Sequence, residues 1–185
     1  MHMNETLKTI HERRSIRSYK PDPIPTADLE AIVAAGKAAA SGMNRQPYHI
    51  TVIQKPEALD ELIELARSEA LKGPMAERAK NPSFKPTYGA PAMILVSADT
   101  SLPTAQFDAV LVMGNMFNAA RSLGIGSCWL FMFGVIADKP EARAVYSKLG
   151  VPDGYRVIVG ASFGYPSGEW PEAREKRTDN VNYIL

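Results

Sequence analysis

AQFDAVLVMGNMFNAARSLGIGSCWLF, residues 105–131, carries a helix, its stop and a strand in one run. Helical spacing puts Phe107, Val110, Leu111, Gly114 and Phe117 on one stripe, and Val112, Met116, Ala119 and Leu123 on another. A helix that is apolar nearly all round belongs in a core or in a large subunit interface. Gly124 ends it, because glycine adopts the left-handed conformation past a helix at no steric cost. SCWLFMF (127–133) follows as a strand. The glycines of GIGSCW (124–129) copy part of a dinucleotide fingerprint, but they precede a strand rather than a helix, which excludes a Rossmann unit.

Downstream, Asp138 and Glu141 have the spacing of a capping box for a helix lined by Ala142, Val145, Tyr146 and Leu149 and stopped by Gly150. YRVIVGASFG (155–164) is the last core strand, and residues 165–185 form a polar tail ending in VNYIL. Upstream, AMILVSA (92–98) is apolar throughout, as a buried strand requires. Before it, KGPMAERAKNPSFKPTYGAP (72–91) is mixed and irregular, a surface excursion with the character of a lid over about residues 70–90. Pro56 starts a helix with Leu59, Leu62, Ile63 and Ala66 in phase, and HITVIQ (49–54) is a strand. SGMNRQP (41–47) is a loop by composition. Thr26 is placed to cap a helix with Leu29, Ile32 and Val33 inward. Asn4 is placed to cap the first helix, which should stop near Ser15 ahead of Pro21, Pro23 and Pro25. Helices alternating with strands, without a Gly-rich phosphate turn, predict one domain over 1–185 with a sheet flanked by helices, α/β or α+β.

The chain has 185 residues, 45% hydrophobic and 22% charged, which describes a globular protein with a substantial core. A formal net charge of +1 argues against broad binding to nucleic acid or to an acidic membrane, so an anion site must be local. Cys128 is the lone cysteine, which rules out an internal disulfide and fits a reducing cytoplasm. The N-terminus lacks the apolar core of a signal peptide, and no run approaches the length of a spanning helix.

Four groupings can carry chemistry. RRSIR puts Arg13, Arg14 and Arg17 around Ser15, where planar bidentate donors plus a hydroxyl suit a phosphate monoester. Basic side chains also complement the dipole at a helix C-terminus, so spacing leaves both readings open. Ser41, Gly42, Met43, Asn44 and Gln46 form a loop whose amides and hydroxyl suit the polar edge of a heterocycle, or simply satisfy their own backbone. Gly126 and Ser127 stand where a ligand can approach the backbone, while Cys128 reads as a small buried apolar residue rather than a nucleophile. Lys176 and Arg177 belong to a charge run, REKR, that closes over a phosphate only if the tail returns to the first cluster. His2, His11 and His49 make no metal-ligand spacing, and no nucleophile elbow or phosphate loop occurs. An enzyme lacking these groups takes its chemistry from a cofactor.

The segments ERRSIRSYKPDPIP, AAASGMNRQPYHITVI, NMFNAARSLGIGSCWL and VGASFGYPSGEWP, in that order, resemble the nitroreductase family from about Ile10 to Arg177. The resemblance implies an α+β fold with a central mixed sheet flanked by helices, an obligate homodimer, and FMN sites at the interface. By that match Arg13, Arg14 and Ser15 meet the flavin phosphate, and Arg17 lies nearer the N1/O2 edge of the ring. Ser41, Gly42, Met43, Asn44 and Gln46 come from the other subunit. Gly126, Ser127 and Cys128 run beside the ring, and Lys176 or Arg177 returns to the phosphate. No side chain would be catalytic in its own right. NADH or NADPH is the implied co-substrate, and the acceptor a nitroaromatic, a quinone or an enone-like molecule, served in turn at one open face. Dehalogenation, oxidative ring chemistry and redox sensing with little turnover are the alternatives.

Overall fold

A computed structural model describes residues 3–185, so His2 lies outside the described residues. Helix α1 (Glu5–Glu12) starts where the Asn4 side chain accepts from the Leu7 amide at 2.9 Å, the cap expected of it. It ends three residues before Ser15. Helix α2 (Thr26–Lys37) differs at its start. Thr26 is its first residue rather than its cap. Pro25, with φ fixed at −55°, offers its carbonyl to the amides of Asp28 and Leu29, and no side chain caps. Strand β1 (Tyr48–Ile53) stops before Gln54, whose amide instead bonds both the N–H and the carbonyl of Ile24. Helix α3 (Pro56–Leu71) and the single-turn α4 (Ala76–Ala79) lead through the excursion to strand β2 (Ala92–Asp99).

Helix α5 (Ala105–Ser122) runs as its spacing predicts and is closed by Gly124 at φ +72°. Strand β3 (Gly126–Leu130) is shorter than SCWLFMF, because Phe131 turns into α6 (Met132–Val135). Helix α7 (Pro140–Lys148) has no capping box. Proline at its first position removes one of the unpaired amides and presets the helical φ, and the Asp138 carboxylate goes to Arg156 at 2.8 Å and Arg143 at 3.4 Å instead. Strand β4 (Tyr155–Gly164) completes the set.

The strands lie in the order β1-β2-β4-β3, and every ladder is antiparallel. The parallel component of the mixed sheet is a single bridge, Ser15 to Ser127, at the outer edge of β3. Strand β2 alternates across the sheet as a fully buried strand must. Ala92, Ile94, Val96 and Ala98 meet Leu29 and Ile32 of α2 and Val112, Met113 and Met116 of α5. Met93 and Leu95 meet Leu62 and Ala66 of α3, Phe133 of α6 and Tyr146 of α7. A bulge shifts the β2–β4 register between Val96 and Ser97, which lets Ile158 and Val159 both pack toward α2 and α5 while Val157 faces the other side.

Helix α5 keeps the start of its Phe107 stripe outside. Val112, Met113, Met116 and Ala120 are buried, whereas Phe107 is 61% and Leu111 51% exposed, with Val110 beside them. No helix among the described residues is long and apolar enough to cross a membrane.

Candidate active site

Beyond Glu12 the chain straightens, starting from Arg13 at φ −57° and ψ 132°. The Ile16 amide donates to the Ser127 carbonyl at 2.9 Å, laying this strap along β3. Its far side is tied as well. Lys20 N donates to Tyr165 O at 2.8 Å and Ser167 N to Ser18 O at 3.1 Å. Tyr19, buried, donates its hydroxyl to the Ile16 carbonyl at 2.7 Å, and burial pushes that hydroxyl far above its ordinary range. Ile16 seats so closely that a Cβ built on Gly126 would stand 2.6 Å from its Cγ1. Gly126 therefore serves the strap's approach as a residue without a side chain.

An extended strap alternates its faces, so Arg13, Ser15 and Arg17 share one side and Arg14 and Ile16 the other. The shared side lies over Cys128. Burial raises the Cys128 thiol, and the Arg17 charge, the Ser15 hydroxyl and the Arg13 charge pull it the opposite way. Neither Arg13 nor Arg17 has a carboxylate ion-pair partner among the described residues. Arg13 stands 5.9 Å from the centre of the Phe117 ring. Arg14 takes a different place from its neighbours. One of its terminal nitrogens donates to the carbonyls of His11 at 2.6 Å and Arg13 at 2.8 Å, the helix-end role, while its Nε is buried without a partner.

The loop of Ser41, Gly42, Met43, Asn44 and Gln46 sits elsewhere. Gly42 N donates to the two carboxylate oxygens of Asp108 at 3.2 and 3.3 Å, and Thr104 Oγ1 donates to the same carboxylate at 3.1 Å. Gln46 N donates to Ser41 Oγ, and the Gln46 amide to Asn44 Oδ1, each at 3.1 Å. Met43, Asn44 and Gln46 all have positive φ, at 54°, 55° and 49°. Left-handed backbone at three residues other than glycine stores strain that the anchor at Asp108 has to offset. Sequence reasoning passed over Asp108. Its signal is a lone acid on the buried face of an apolar helix.

The loop is tied to the first turn of α5 and the arginine strap to its last turns, through Phe117 and the 2.7 Å pair of Arg121 with Glu12. Asp108 and Arg121 are about 20 Å apart along a helix axis. Within one chain the loop therefore meets the start of α5, and the strap meets it about 14 Å further along the axis, at Phe117. The exposed stripe of Phe107, Val110 and Leu111 starts at the loop's end of the helix and runs toward the strap's end.

Lys176 and Arg177 do not return to the strap in this structure. Both are exposed in a tail without regular structure, and Arg177 makes a bidentate pair with Asp179 at 2.9 Å. The last anchored part of the chain is Trp170, which packs near Ile16 and Tyr19 beneath the Arg121 guanidinium, 4.2 Å from its ring centre. The excursion over about residues 70–90, read from the sequence only as a lid, contributes Arg78, Asn81, Lys85 and Tyr88 to a cleft that also includes Arg17.

The sequence model of the Nitroreductase family matches residues 10–165. The fold superposes on a nitroreductase with bound FMN from Bacteroides fragilis at a TM-score of 0.93, with 34% identity over 99% of this chain and 100% of that one. The NADPH-flavin oxidoreductase of Vibrio harveyi is 30% identical over 97% of this chain and 72% of its own length. The iodotyrosine deiodinase of Thermotoga neapolitana is 26% identical over 87% of this chain and 88% of its own.

Proposed function

The chain belongs to the nitroreductase family, and from that premise we propose that it is an FMN-dependent oxidoreductase taking reducing equivalents from NADH or NADPH. The observation that carries the reading is the strap. Arg13, Ser15 and Arg17 are lined up on one side, free of carboxylate partners, over a strand edge that begins with Gly126. This donor set fits a phosphate monoester at one end and a ring edge that gains negative charge at the other.

FMN, when bound, supplies hydride transfer from the nicotinamide to the acceptor. The chain's own residues bind and orient. Arg13 and Ser15 hold the phosphate. Arg14 acts at one remove, fixing the end of α1 from which the strap departs. Arg17 keeps a cation at the N1/O2 edge. Gly126, Ser127 and Cys128 form the floor, and the buried thiol stays protonated. With one face of the ring covered by that floor, donor and acceptor would use the other, open face in turn. The acceptor is a small nitroaromatic, quinone or enone-like molecule.

Two copies complete the site. A two-fold axis perpendicular to α5 pairs the helix antiparallel with its counterpart, so that each Asp108 end lies beside the partner's Arg121 end. That brings Asn44 and Gln46 of one subunit to the strap of the other and buries Phe107, Val110 and Leu111. The tail, with Tyr183, Ile184 and Leu185 exposed, extends onto the partner, where Lys176 or Arg177 reaches the phosphate.

The test is the visible spectrum of the purified protein before and after anaerobic NADPH. Flavin bands that bleach support the reading, and a colourless protein that takes up no FMN overturns it. The deiodinase relative favours a second reading, reductive dehalogenation of a halogenated aromatic. Halide release from such a substrate by the reduced protein, without turnover of nitro compounds, would select it.

A further inference from the structure

Glu12 closes α1, and Arg13 leaves it as the first residue of the strap. An acid at that place opposes the helix dipole, whose C-terminal end favours cations. Among the described residues the Glu12 carboxylate pairs only with Arg121, at 2.7 Å. The same guanidinium lies over the Trp170 ring, 4.2 Å from its centre. Trp170 packs in turn against the cluster of Ile16, Tyr19 and Ala90, on the buried side of the strap. Arg121 therefore joins three stretches of chain that are distant in sequence: the end of α1, the end of α5 and the segment after β4. Phe117 and Arg121 stand four residues apart on α5, so Arg13 at Phe117 and Glu12 at Arg121 dock one turn apart on the same face of that helix.

The joint has local costs. Arg121 Nε is buried without a partner, and an unmet donor is unfavourable. The ion pair returns little stability, because its side chains are 23% and 42% exposed. An apolar side chain at position 121 would pack on Trp170 without either cost. It would lose the link to Glu12, one residue before Arg13.

We propose that Arg121 is a positioning residue for the phosphate end of the cofactor site. It holds Glu12 and Trp170 together and so fixes where the strap leaves α1, and with that the places of Arg13 and Ser15. The proposal rests on the flavin reading. Arg121 acts through Glu12 and the backbone that follows, not by contact with the cofactor. The strap's other end has its own ties, Ile16 to Ser127 and Lys20 to Tyr165. Loosening the α1 end is therefore felt at the phosphate before it is felt at the ring.

The experiment equilibrates the FMN-loaded protein and its variants with mixtures of FMN and riboflavin and reads the bound ratio by chromatography. Riboflavin lacks the phosphate, so the ratio isolates that end of the site, whereas a general loss of stability lowers both flavins alike. Arg121→Gln and Glu12→Gln should each lower the FMN-to-riboflavin ratio by about fivefold, the upper range for one exposed pair. The two substitutions in one chain should lower it no further than either alone, because they break the same link. Arg121→Lys keeps the charge and should recover most of the ratio.

A ratio unmoved in either single variant overturns the proposal. A rise in Glu12→Gln does the same, as do losses that add in the double variant. Glu12→Gln changes a surface carboxylate only, and it carries the test if Arg121→Gln does not fold. A natural protein that takes up neither flavin defeats the flavin reading and this inference with it. One that holds FMN, with variants that leave the ratio unmoved, keeps that reading and removes Arg121 from the role.

Discussion

Gly126 marks the closest approach of strap and sheet, and its hydrogen atom stands where any side chain would strike Ile16. Gly126→Ala should push the strap outward and destabilise the protein by about 1–3 kcal/mol, the range for overpacking a well-packed site. In thermal unfolding the midpoint should fall by about 3–10 °C, and FMN should be held more weakly, because Arg13, Ser15 and Arg17 move with the strap. A second residue sets the acid limit. Glu69 is buried and its carboxyl is held below the ordinary range by hydrogen bonds from Lys139 and then Lys72, against the opposing effect of burial. A carboxyl lowered in the folded state adds stability that is present above its unfolded value and lost as pH falls through the folded one. Melting curves from pH 6 down to pH 2 should therefore show a steeper loss in the natural protein than in Glu69→Gln. Parallel curves would remove Glu69 from that role.

At the scale of elements, α5 has two apolar faces with different work to do. Leu111→Asp puts a charge on the exposed face and leaves the buried one intact, so the helical signal in circular dichroism should persist. On the proposed pairing through this stripe, sedimentation velocity should then show dimer giving way to monomer, with loss of bound flavin. A variant that remains dimeric would move the interface off this stripe. The two stripes were readable in the sequence because a period of 3.6 residues exposes them directly. The caps of α2 and α7 were not, since Pro25 and Pro140 set the start of each helix through their own geometry and released Thr26 and Asp138. The strap was legible as RRSIR, but its division of labour was not. Alternation in an extended chain separates Arg14 from its neighbours, and only the end of α1 reveals what Arg14 binds. Arg78 and Lys85 were hidden for another reason. They lie in irregular chain whose course depends on Arg67, a clamp made of backbone carbonyls that composition does not encode.

Over the whole molecule, the proposed pairing makes each complete site draw on two chains, because loop and strap meet α5 at opposite ends. Asn44→Ala and Arg13→Ala should each cripple both sites of their own dimer. Mixed in equal amounts and allowed to exchange, they should return about a quarter of the natural site count, because half of the dimers are then mixed and each holds one intact site. The readout is bound flavin and NADPH oxidation after confirmed exchange. Confirmed mixed dimers without recovery would place both groups in one chain's site.

The uncovered stripe of Phe107, Val110 and Leu111 has a further consequence, for the bench and for the cell. On the proposed pairing, a cofactor seated between two copies binds the pair and not the single chain, so its occupancy becomes a matter of abundance. Dilute stocks should release FMN, read as a rise in flavin fluorescence that reverses on concentration, and added FMN should oppose the release by pulling subunits together. A cell short of riboflavin would then carry this protein as separate, inert halves.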